Sequence, residues 1–357
     1  MADAAPRVGV YMLDVGQGDC TFVLGPEADA TFKPILFDCR DAYVATRFVK
    51  DHRIGHLSAV VTSHLDSDHI AGMLPFLRAF VGDGGRVDAL HAHIDKNPNR
   101  DTRRGAYLFM AQAVRWHDER RIPLAPSFRD LAPRRLHDGG SWAVDLVLPE
   151  YAALIDMRLE GGEAPNRTST VLRVSMDDHA ILVGGDATLD AWERLEPDLL
   201  PANVFRIPHH GGNIDEGLGS WKVADLYRRI HPSVAVISVG TNNGFEHPRR
   251  EMLPFAPAEG GDCRVLCTQL TPRCHDDPLL ARDRALGNPA QVTYPYRHRV
   301  ARGDGRRSRP RDEVPCAGSI VAWLSPEGVE IVPGPDDWHD GFVDLLDHPL
   351  CRPPLAV

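Results

Sequence analysis

The stretch His64-Leu65-Asp66-Ser67-Asp68-His69 decides how this sequence is interpreted. It lies between an apolar segment typical of a buried strand and a segment whose apolar residues recur at helical spacing. Four potential metal ligands therefore fall within six residues. Alternate residues of a tight loop can point to one side while adjacent ones diverge, so one such loop can supply two metals. We expect His64 and Asp66 to face the first ion, and Asp68 and His69 to face the second.

The ligand chemistry of this stretch is mixed, with imidazole and carboxylate groups side by side. Such ligands suit zinc, manganese or iron, and we expect two divalent ions, zinc or manganese. A simpler interpretation is a polar turn in which Asp66 or Asp68 caps the following helix. Capping alone does not account for the flanking His64 and His69.

Polar clusters recur at the ends of predicted strands. Apolar strands are predicted over 57–62, 180–183, 204–207 and 234–239, and helices over 42–51, 70–80 and 103–119. The polar groups that follow these strands lie at 64–69, 184–186, 208–212 and in the loop that carries His247. This arrangement favours a sheet scaffold whose edge loops build one site.

The opening stretch resembles the metallo-β-lactamase signature His-x-His-x-Asp-His, with Asp66 in place of the second histidine. That variant is similar to the soluble domain of ComEC-type competence proteins and to the related phosphorylcholine esterases. Further segments resemble the same family in order and spacing, over residues 8–267 and again over 318–332. They are Asp14-Val15-Gly16-Gln17-Gly18-Asp19, residues 35–38, residues 166–174, Gly185-Asp186, Pro208-His209-His210-Gly211, and residues 238–248, where Glu246 replaces a glycine. The resemblance implies an α/β (α+β) fold, the four-layer αββα sandwich of the metallo-β-lactamases.

The resemblance also implies roles for residues outside the first cluster. Asp186 is implied as a carboxylate that bridges both metals, where a bridging anion lowers the repulsion between the cations. His210 is implied as a ligand of the second metal. His209 stays open between a ligand, a general acid and a residue that orients His210, and His247 is expected to protonate the leaving group or to contact substrate. Asp68, His209 and His247 are the catalytic candidates; plain turn or loop roles are the alternatives for Asp186 and His247.

The first metal site has one expected ligand too few. Many members of the superfamily supply a further histidine between the first motif and the bridging aspartate, where this chain has Asn166. His91 and His93 also lie in this interval, but at the wrong distance along the chain for a simple match. We therefore expect the first ion to be weakly held, completed by solvent, or bound only with substrate. Asp14 and Asp38, each at a strand end, are candidates for orienting a ligating imidazole or for capping a turn.

The composition divides the chain into three parts. We predict a hydrolase domain at 1–267 and 316–335, an Arg- and Pro-rich insertion at 268–315, and a C-terminal tail at 336–357. Seven arginines lie between Arg297 and Arg311. They indicate either a solvated, mobile loop or a phosphate-binding arm beside the active site.

The seven cysteines are an odd number spread over a long chain, so a disulfide framework is not expected. Cys267, Cys274 and His275 lie at the entry of the insertion, and Cys316 lies at its exit. Together they form a candidate structural zinc site that would hold the two ends of the insertion. The spacing is not that of a standard zinc finger, and free thiols are the alternative.

Composition also bears on location and partners. The 357 residues have a formal net charge of −10, and an acidic surface does not suggest tight, nonspecific nucleic-acid binding. We find no apolar run of about 18 residues and no secretory signal at the N-terminus. We therefore expect a cytoplasmic protein that does not bind a membrane, with its oligomeric state left open.

Together the motifs predict a metal-dependent hydrolase in which a metal-activated water attacks phosphorus or a carbonyl carbon. The main expectation is a phosphodiesterase or nuclease that acts on a phosphodiester or nucleic-acid substrate. The alternatives are hydrolysis of a non-nucleic ester (a phosphocholine ester, lactone or thioester) and a non-catalytic module of a defence or signalling system. DNA uptake is not expected, because competence channels carry many membrane spans and this sequence predicts none.

Overall fold

Two β-sheets stack face to face, with helices on their outer faces, in the computed structural model of this chain. The structure describes residues 6–27, 29–94, 104–159, 165–241, 244–254, 263–275, 313–334 and 337–352. The strands are β1 Val8–Met12, β2 Cys20–Leu24, β3 Ile35–Cys39, β4 His56–Val61, β5 Arg86–His91, β6 Leu124–Ala125, β7 Arg134–Asp138, β8 Trp142–Leu148, β9 Val171–Met176, β10 His179–Val183, β11 Val204–Arg206, β12 Val234–Ile237, β13 Arg264–Cys267, β14 Ile320–Ser325 and β15 Gly328–Val332. The helices are α1 Ala42–Asp51, α2 Ser67–Ile70, α3 Met73–Gly82, α4 Arg104–Asp118, α5 Tyr151–Leu159, α6 Leu189–Glu193, α7 Val223–Ile230 and α8 Trp338–Val343.

The strand order brings the polar loops together. The first sheet has the order β15-β14-β1-β2-β3-β4-β5-β6, and the second has the order β13-β12-β11-β10-β9-β8-β7. Strands β3 to β6 are parallel in the first sheet, and β10 to β13 are parallel in the second. Functional groups of such sheets gather outside the carboxyl ends of the strands. The loops after β4, β10 and β11 carry the polar clusters at 64–69, 184–186 and 208–212.

The alternation of side chains along the strands builds the layers. Ile35 and Phe37 of β3 point into the apolar layer between the sheets, whereas Leu36 points into the layer beneath the helices, because successive strand residues face opposite sides. A second layer lies between the first sheet and α1, α3 and α4, and a third lies between the second sheet and α6 and α7. The predicted mixed α/β, four-layer αββα arrangement is confirmed.

Most predicted elements are found with small shifts at their ends. The predicted helix over 42–51 is α1, and Asp41 caps it by accepting from the backbone N–H of Tyr43 at 2.8 Å. The helix predicted over 70–80 is instead divided between α2 and α3. Gly72 stands between the two helices, and a Cβ there would collide with the backbone of Asp41. Close contact with the start of α1 therefore sets where α3 begins.

Both flanks of the predicted insertion join the sheet scaffold. Gln269 pairs with Pro315 in an isolated bridge, and β14 then pairs with β1 in the first sheet. The arginines of 297–311 lie outside the described residues. In the predicted tail, Phe342 and Val343 are buried in the outer apolar layer of the second sheet. Within the described ranges, no helix is both long and apolar enough to cross a membrane.

A buried ion pair connects the two sheets at their polar edge. Arg206 of β11 in the second sheet donates to the Asp19 carboxylate, which lies between β1 and β2 of the first sheet. The same guanidinium donates to Thr21 Oγ1 of β2 at 2.7 Å. Arg206 and Asp19 are 2% and 3% exposed, so removing either partner leaves an uncompensated buried charge.

We expect Arg206→Met to lower the free energy of unfolding by about 3–5 kcal/mol, because the buried Asp19 carboxylate loses its counter-ion. Urea unfolding measures this change. Arg228→Met is the matched control, because Arg228 is exposed and its pair with Asp225 is worth about 1 kcal/mol or less. Equal losses in the two variants would contradict the structural role of the buried pair.

Candidate metal centre

The rings of His69 and His210 are anchored through Nδ1. His69 Nδ1 lies 2.8 Å from Asp38 Oδ2, and His210 Nδ1 lies 2.9 Å from the carbonyl oxygen of Ser238. An ionised carboxylate and a carbonyl oxygen only accept hydrogen bonds, so each Nδ1 is the donor. In the neutral ring, Nε2 then carries the lone pair that a metal requires. Both rings are buried, and both direct Nε2 toward the Asp186 carboxylate.

His64 is anchored in the same way through Ser63. The Ser63 hydroxyl donates to Asp38 Oδ2 at 2.7 Å and lies 3.0 Å from His64 Nδ1. Since its own proton is directed at Asp38, the hydroxyl oxygen is placed to accept from His64 Nδ1. Asp38 therefore contacts His69 directly and reaches His64 through one hydroxyl.

Asp186 lies between the three imidazoles and offers a different oxygen to each side. Its Oδ1 is 3.1 Å from His69 Nε2 and 3.9 Å from His210 Nε2, whereas its Oδ2 is 3.7 Å from His64 Nε2. We call the Oδ2 side, with His64, the first side of the centre and the Oδ1 side, with His69 and His210, the second side. This is the arrangement that a carboxylate bridging two ions requires.

The turn before Asp186 explains its position. Gly185 has a φ of +51°, and a Cβ at this residue would lie 2.5 Å from Ser169 Oγ. Ser169 Oγ accepts from the backbone N–H of Asp186 at 2.9 Å. Glycine thus lets the chain pass close to Ser169 as it leaves β10.

The two loop aspartates divide between the sides as their alternation predicts. Asp66 Oδ2 is 3.5 Å from His64 Nε2 on the first side, and Asp68 Oδ2 is 3.4 Å from His210 Nε2 on the second. Asp66 does occupy the position that precedes α2, but its side chain makes no capping hydrogen bond. The capping interpretation therefore lacks support at Asp66.

The donor set fits divalent metal ions. His69 Nε2, His210 Nε2 and Asp186 Oδ1 are buried and make no hydrogen bond of normal geometry. The ligand atoms form two groups, and within each group all atoms lie within 4.8 Å of one another. The groups are His64, His69 and Asp186, and Asp68, His69 and His210. Lone pairs that face one another at such distances repel unless a cation lies between them. Imidazole and carboxylate ligands of this kind suit zinc or manganese.

The electrostatics of the centre favour positive charge. Burial opposes the charge of His210, but the carboxylates of Asp19, Asp68 and Asp186 outweigh it and raise the pKa of His210 to about 10. Burial likewise raises the pKa of Asp186, and the neighbouring His69 and His210 reverse this and hold that pKa well below its usual range. Since acidic groups dominate, the centre attracts cations, and metal binding here would release protons.

A third group of acidic and imidazole atoms is already engaged in other bonds. Asp19, Asp38 and His69 also lie within 4.8 Å of one another. However, Asp19 pairs with Arg206, and Asp38 accepts from His69 and Ser63. These carboxylates therefore position ligands and do not form an ion site of their own.

His209 and His247 lie beside the centre, with His209 partly exposed and His247 buried. His209 Nε2 is 4.0 Å from Asp186 Oδ2, and the ring centroids of His209 and His247 are 5.4 Å apart. Burial, followed by the charges of His209 and His210, lowers the pKa of His247 to about 4. A neutral His247 at pH 7 is suited to a hydrogen bond with substrate, one of the two roles expected for it.

Other predicted residues lie outside the centre. His93 Nδ1 is 2.6 Å from Ser127 Oγ, and His91 Nδ1 is 3.1 Å from the carbonyl oxygen of Pro126. Neither belongs to the ligand groups found among the described residues. Asn166 begins a short 3₁₀ helix. The interval between the first motif and Asp186 therefore adds no imidazole to the ligand groups of the described chain.

Asp14 and Asp19, the two aspartates of the opening turn, have different roles. Asp14 accepts from Gln269 Nε2 at 2.8 Å and from the Gly16 N–H at 3.2 Å, so it holds the turn. Asp19 lies 3.3 Å from His210 Nδ1 and pairs with Arg206. Sequence analysis missed Asp19 as a site residue, although it ends the quoted turn motif; it also missed Ser63, Ser169, Arg206 and Ser238.

The cysteines of the candidate zinc site are buried and form no disulfide. Cys267, Cys274 and Cys316 are each 5% exposed or less, and burial raises the pKa of Cys267 and Cys316 well above the usual range. His275 Nδ1 pairs with Asp347 at 2.6 Å. These residues are not among the ligand groups of the described chain, and the structural zinc site stays a prediction.

Among known proteins, only solved structures are similar to this chain. No protein-family model matches the chain, and no curated protein matches it. The metallo-β-lactamase fold protein YhfI from Bacillus subtilis is 12% identical, with 73% of this chain and 96% of that one covered and a TM-score of 0.45. The short form of human tRNase Z is 11% identical, with 67% and 97% covered and a TM-score of 0.37. An isothiocyanate hydrolase from Delia radicum gut bacteria is 11% identical, with 72% and 95% covered and a TM-score of 0.40.

We expect Asp38→Asn to weaken metal binding roughly 10- to 100-fold, because the ring of His69 loses the carboxylate that orients it. Competition with a chromogenic chelator measures this affinity. The matched control is Asp145→Asn, a buried strand aspartate that accepts from Arg135 Nε at 2.6 Å outside the centre. If both variants bind metal as tightly as the wild type, Asp38 does not act through the ligand.

Proposed function

We propose that this chain is a metal-dependent hydrolase of the metallo-β-lactamase fold, and that it acts on phosphodiesters. The observation that carries the proposal is Asp186, whose two oxygens face different histidines on the two sides of one centre. Two divalent ions bound there would lower the pKa of a water molecule and neutralise charge on a phosphate group. Paired sites of this kind are common in phosphatases and nucleases. The order of the ComEC-like motifs along the chain supports the same reaction class.

The candidate ligands of the chain would hold one ion on each side of the centre. His64, Asp66 and Asp186 would hold the ion of the first side, and Asp68, His69, His210 and Asp186 that of the second. Burial raises the pKa of Asp68, but His210 and His69 outweigh it and keep that carboxylate ionised at neutral pH. Asp68 would therefore serve as an anionic ligand and would not supply a proton.

The net charge of the chain bears on the size of the substrate. The net charge of −10 opposes the approach of a long polyanion. The acidic balance of the chain thus favours a small phosphodiester over nonspecific cleavage of nucleic acid. It equally suits the second candidate function, hydrolysis of a small ester without phosphorus such as a lactone or thioester.

We expect the wild-type protein to cleave bis(p-nitrophenyl) phosphate with added Mn²⁺ or Zn²⁺, and EDTA to abolish this activity. Asp186→Asn should lower kcat/KM about 100- to 1000-fold, because both ions lose their shared anionic ligand. Asp145→Asn should leave kcat/KM unchanged. Rates from p-nitrophenolate release provide the measurement.

A panel of single-stranded DNA, RNA, a phosphocholine ester, a lactone and a thioester then defines the substrate class. Cleavage of the lactone or thioester without any phosphodiester would overturn the phosphodiesterase proposal while keeping the hydrolase. A protein that binds both ions but hydrolyses none of these substrates would favour a non-catalytic module.

A further inference from the structure

The turn after β11 presents two adjacent histidines to the metal centre. His209 has φ 55° and ψ 35°, and His210 has φ 54° and ψ 27°, so both adopt the left-handed conformation. That conformation is unfavourable for a non-glycine residue and persists only where the surroundings fix it. Here the backbone N–H of His209 donates to the Gly185 carbonyl at 3.0 Å. His209 is thereby held beside Asp186, the neighbour of Gly185.

The hydrogen bonding of His209 determines which nitrogen faces the centre. Its Nδ1 lies 2.9 Å from the carbonyl oxygen of Asn213. A carbonyl oxygen only accepts, so Nδ1 is the donor and Nε2 carries the lone pair in the neutral ring. That Nε2 faces Asp186 Oδ2 at 4.0 Å. This is the anchoring seen in His69 and His210, with Nδ1 bound to an oxygen and Nε2 directed inward.

The first side is where an imidazole is needed. Asp68, His69 and His210 supply the second side, whereas the first side has His64, Asp66 and the bridging Asp186. Asp186 Oδ2 lies 3.7 Å from His64 Nε2 and 4.0 Å from His209 Nε2. Metal–ligand bonds of about 2.0–2.1 Å allow ligand atoms to lie up to about 4 Å apart across one ion. The spacing of His209 and Asp186 is therefore compatible with a shared cation.

His247, whose ring neighbours that of His209, is directed elsewhere. A Cβ on Gly212 would lie 2.5 Å from His247 Nε2, so this nitrogen packs against the backbone of the His-His-Gly turn. His93 is held by Ser127. Among the described histidines outside the ligand groups, His209 is the one paired with Asp186.

We propose that His209 is the third protein ligand, beside His64 and Asp66, that completes the first side around the bridging Asp186. It would replace the histidine that many relatives supply between the first motif and the bridging aspartate. This assignment rests on the proposed two-metal centre. It removes His209 from the candidates for proton donor, because its Nε2 would be bound to the ion.

The test is metal binding, measured without reference to catalysis. Equilibrium dialysis against Mn²⁺ or Zn²⁺, followed by elemental analysis, gives the number of bound ions and their affinities. We expect two ions in the wild type. His209→Gln should keep one ion at its original affinity and weaken the other more than about 100-fold, beyond the loss caused by removing an orienting partner alone.

Two further variants separate ligation from nearby effects. His209→Glu has nearly the shape of His209→Gln but offers a carboxylate, so it should recover much of the weakened affinity. His247→Gln changes the adjacent ring and should keep both ions. The absorption spectrum of the cobalt-substituted protein should change with His209→Gln and not with His247→Gln, because only the former alters the ligands of an ion.

The outcomes are distinguishable from failure of the proposed function. Two ions of wild-type affinity in His209→Gln would overturn the assignment of His209 while leaving the two-metal centre intact. Equal weakening by His209→Gln and His209→Glu would also overturn it, because a structural role does not depend on a ligand atom. A wild-type protein that binds neither ion would overturn the proposed function and this assignment together.

Discussion

The geometry of the candidate metal centre depends on the buried ion pair between Arg206 and Asp19. Arg206 belongs to the second sheet, and Asp19 lies between two strands of the first. Burying two charges costs several kcal/mol per ion, which is offset only when both are well paired and hydrogen-bonded. The Asp19 carboxylate also lies 3.3 Å from His210 Nδ1. One carboxylate therefore links the separation of the sheets to the position of a candidate ligand.

A second buried carboxylate, that of Asp38, positions two other candidate ligands of the centre. Asp38 holds His69 through Nδ1 and reaches His64 through the Ser63 hydroxyl. His64, His69 and His210 are thus each held through Nδ1, and each directs Nε2 toward Asp186. Such support fixes ring orientation and raises ligand basicity. The same acidic groups make the centre favourable for cations, and this electrostatic bias is the common basis of the proposed function and of the role assigned to His209.

Particular residues show how far sequence reasoning reaches. The spacing of Asp66 and Asp68 predicted their division between two sides, and the structure places them beside His64 and His210. Local alternation is enough for this, since it depends on a few consecutive residues. Within the described residues, the interval between the first motif and Asp186 adds no imidazole to the ligand groups. The structure brings His209 to Asp186 from the next strand through a left-handed turn, a conformation that residue spacing does not reveal.

From the sequence by itself, strand alternation and helical spacing predicted a sheet scaffold with a site in its edge loops. The resemblance to the metallo-β-lactamases implied its four layers and the candidate ligands outside the first cluster. Alternation along strands, helical spacing and short polar motifs are local properties, so they can be recognised from consecutive residues alone. The tertiary structure alone decided which of the two oxygens of Asp186 faces which histidine, and which carboxylates support the rings from behind. It also decided the pairing of Arg206 with Asp19, since such contacts join residues far apart in the chain. Their energies arise only when both sheets are packed and water is excluded from the charges between them.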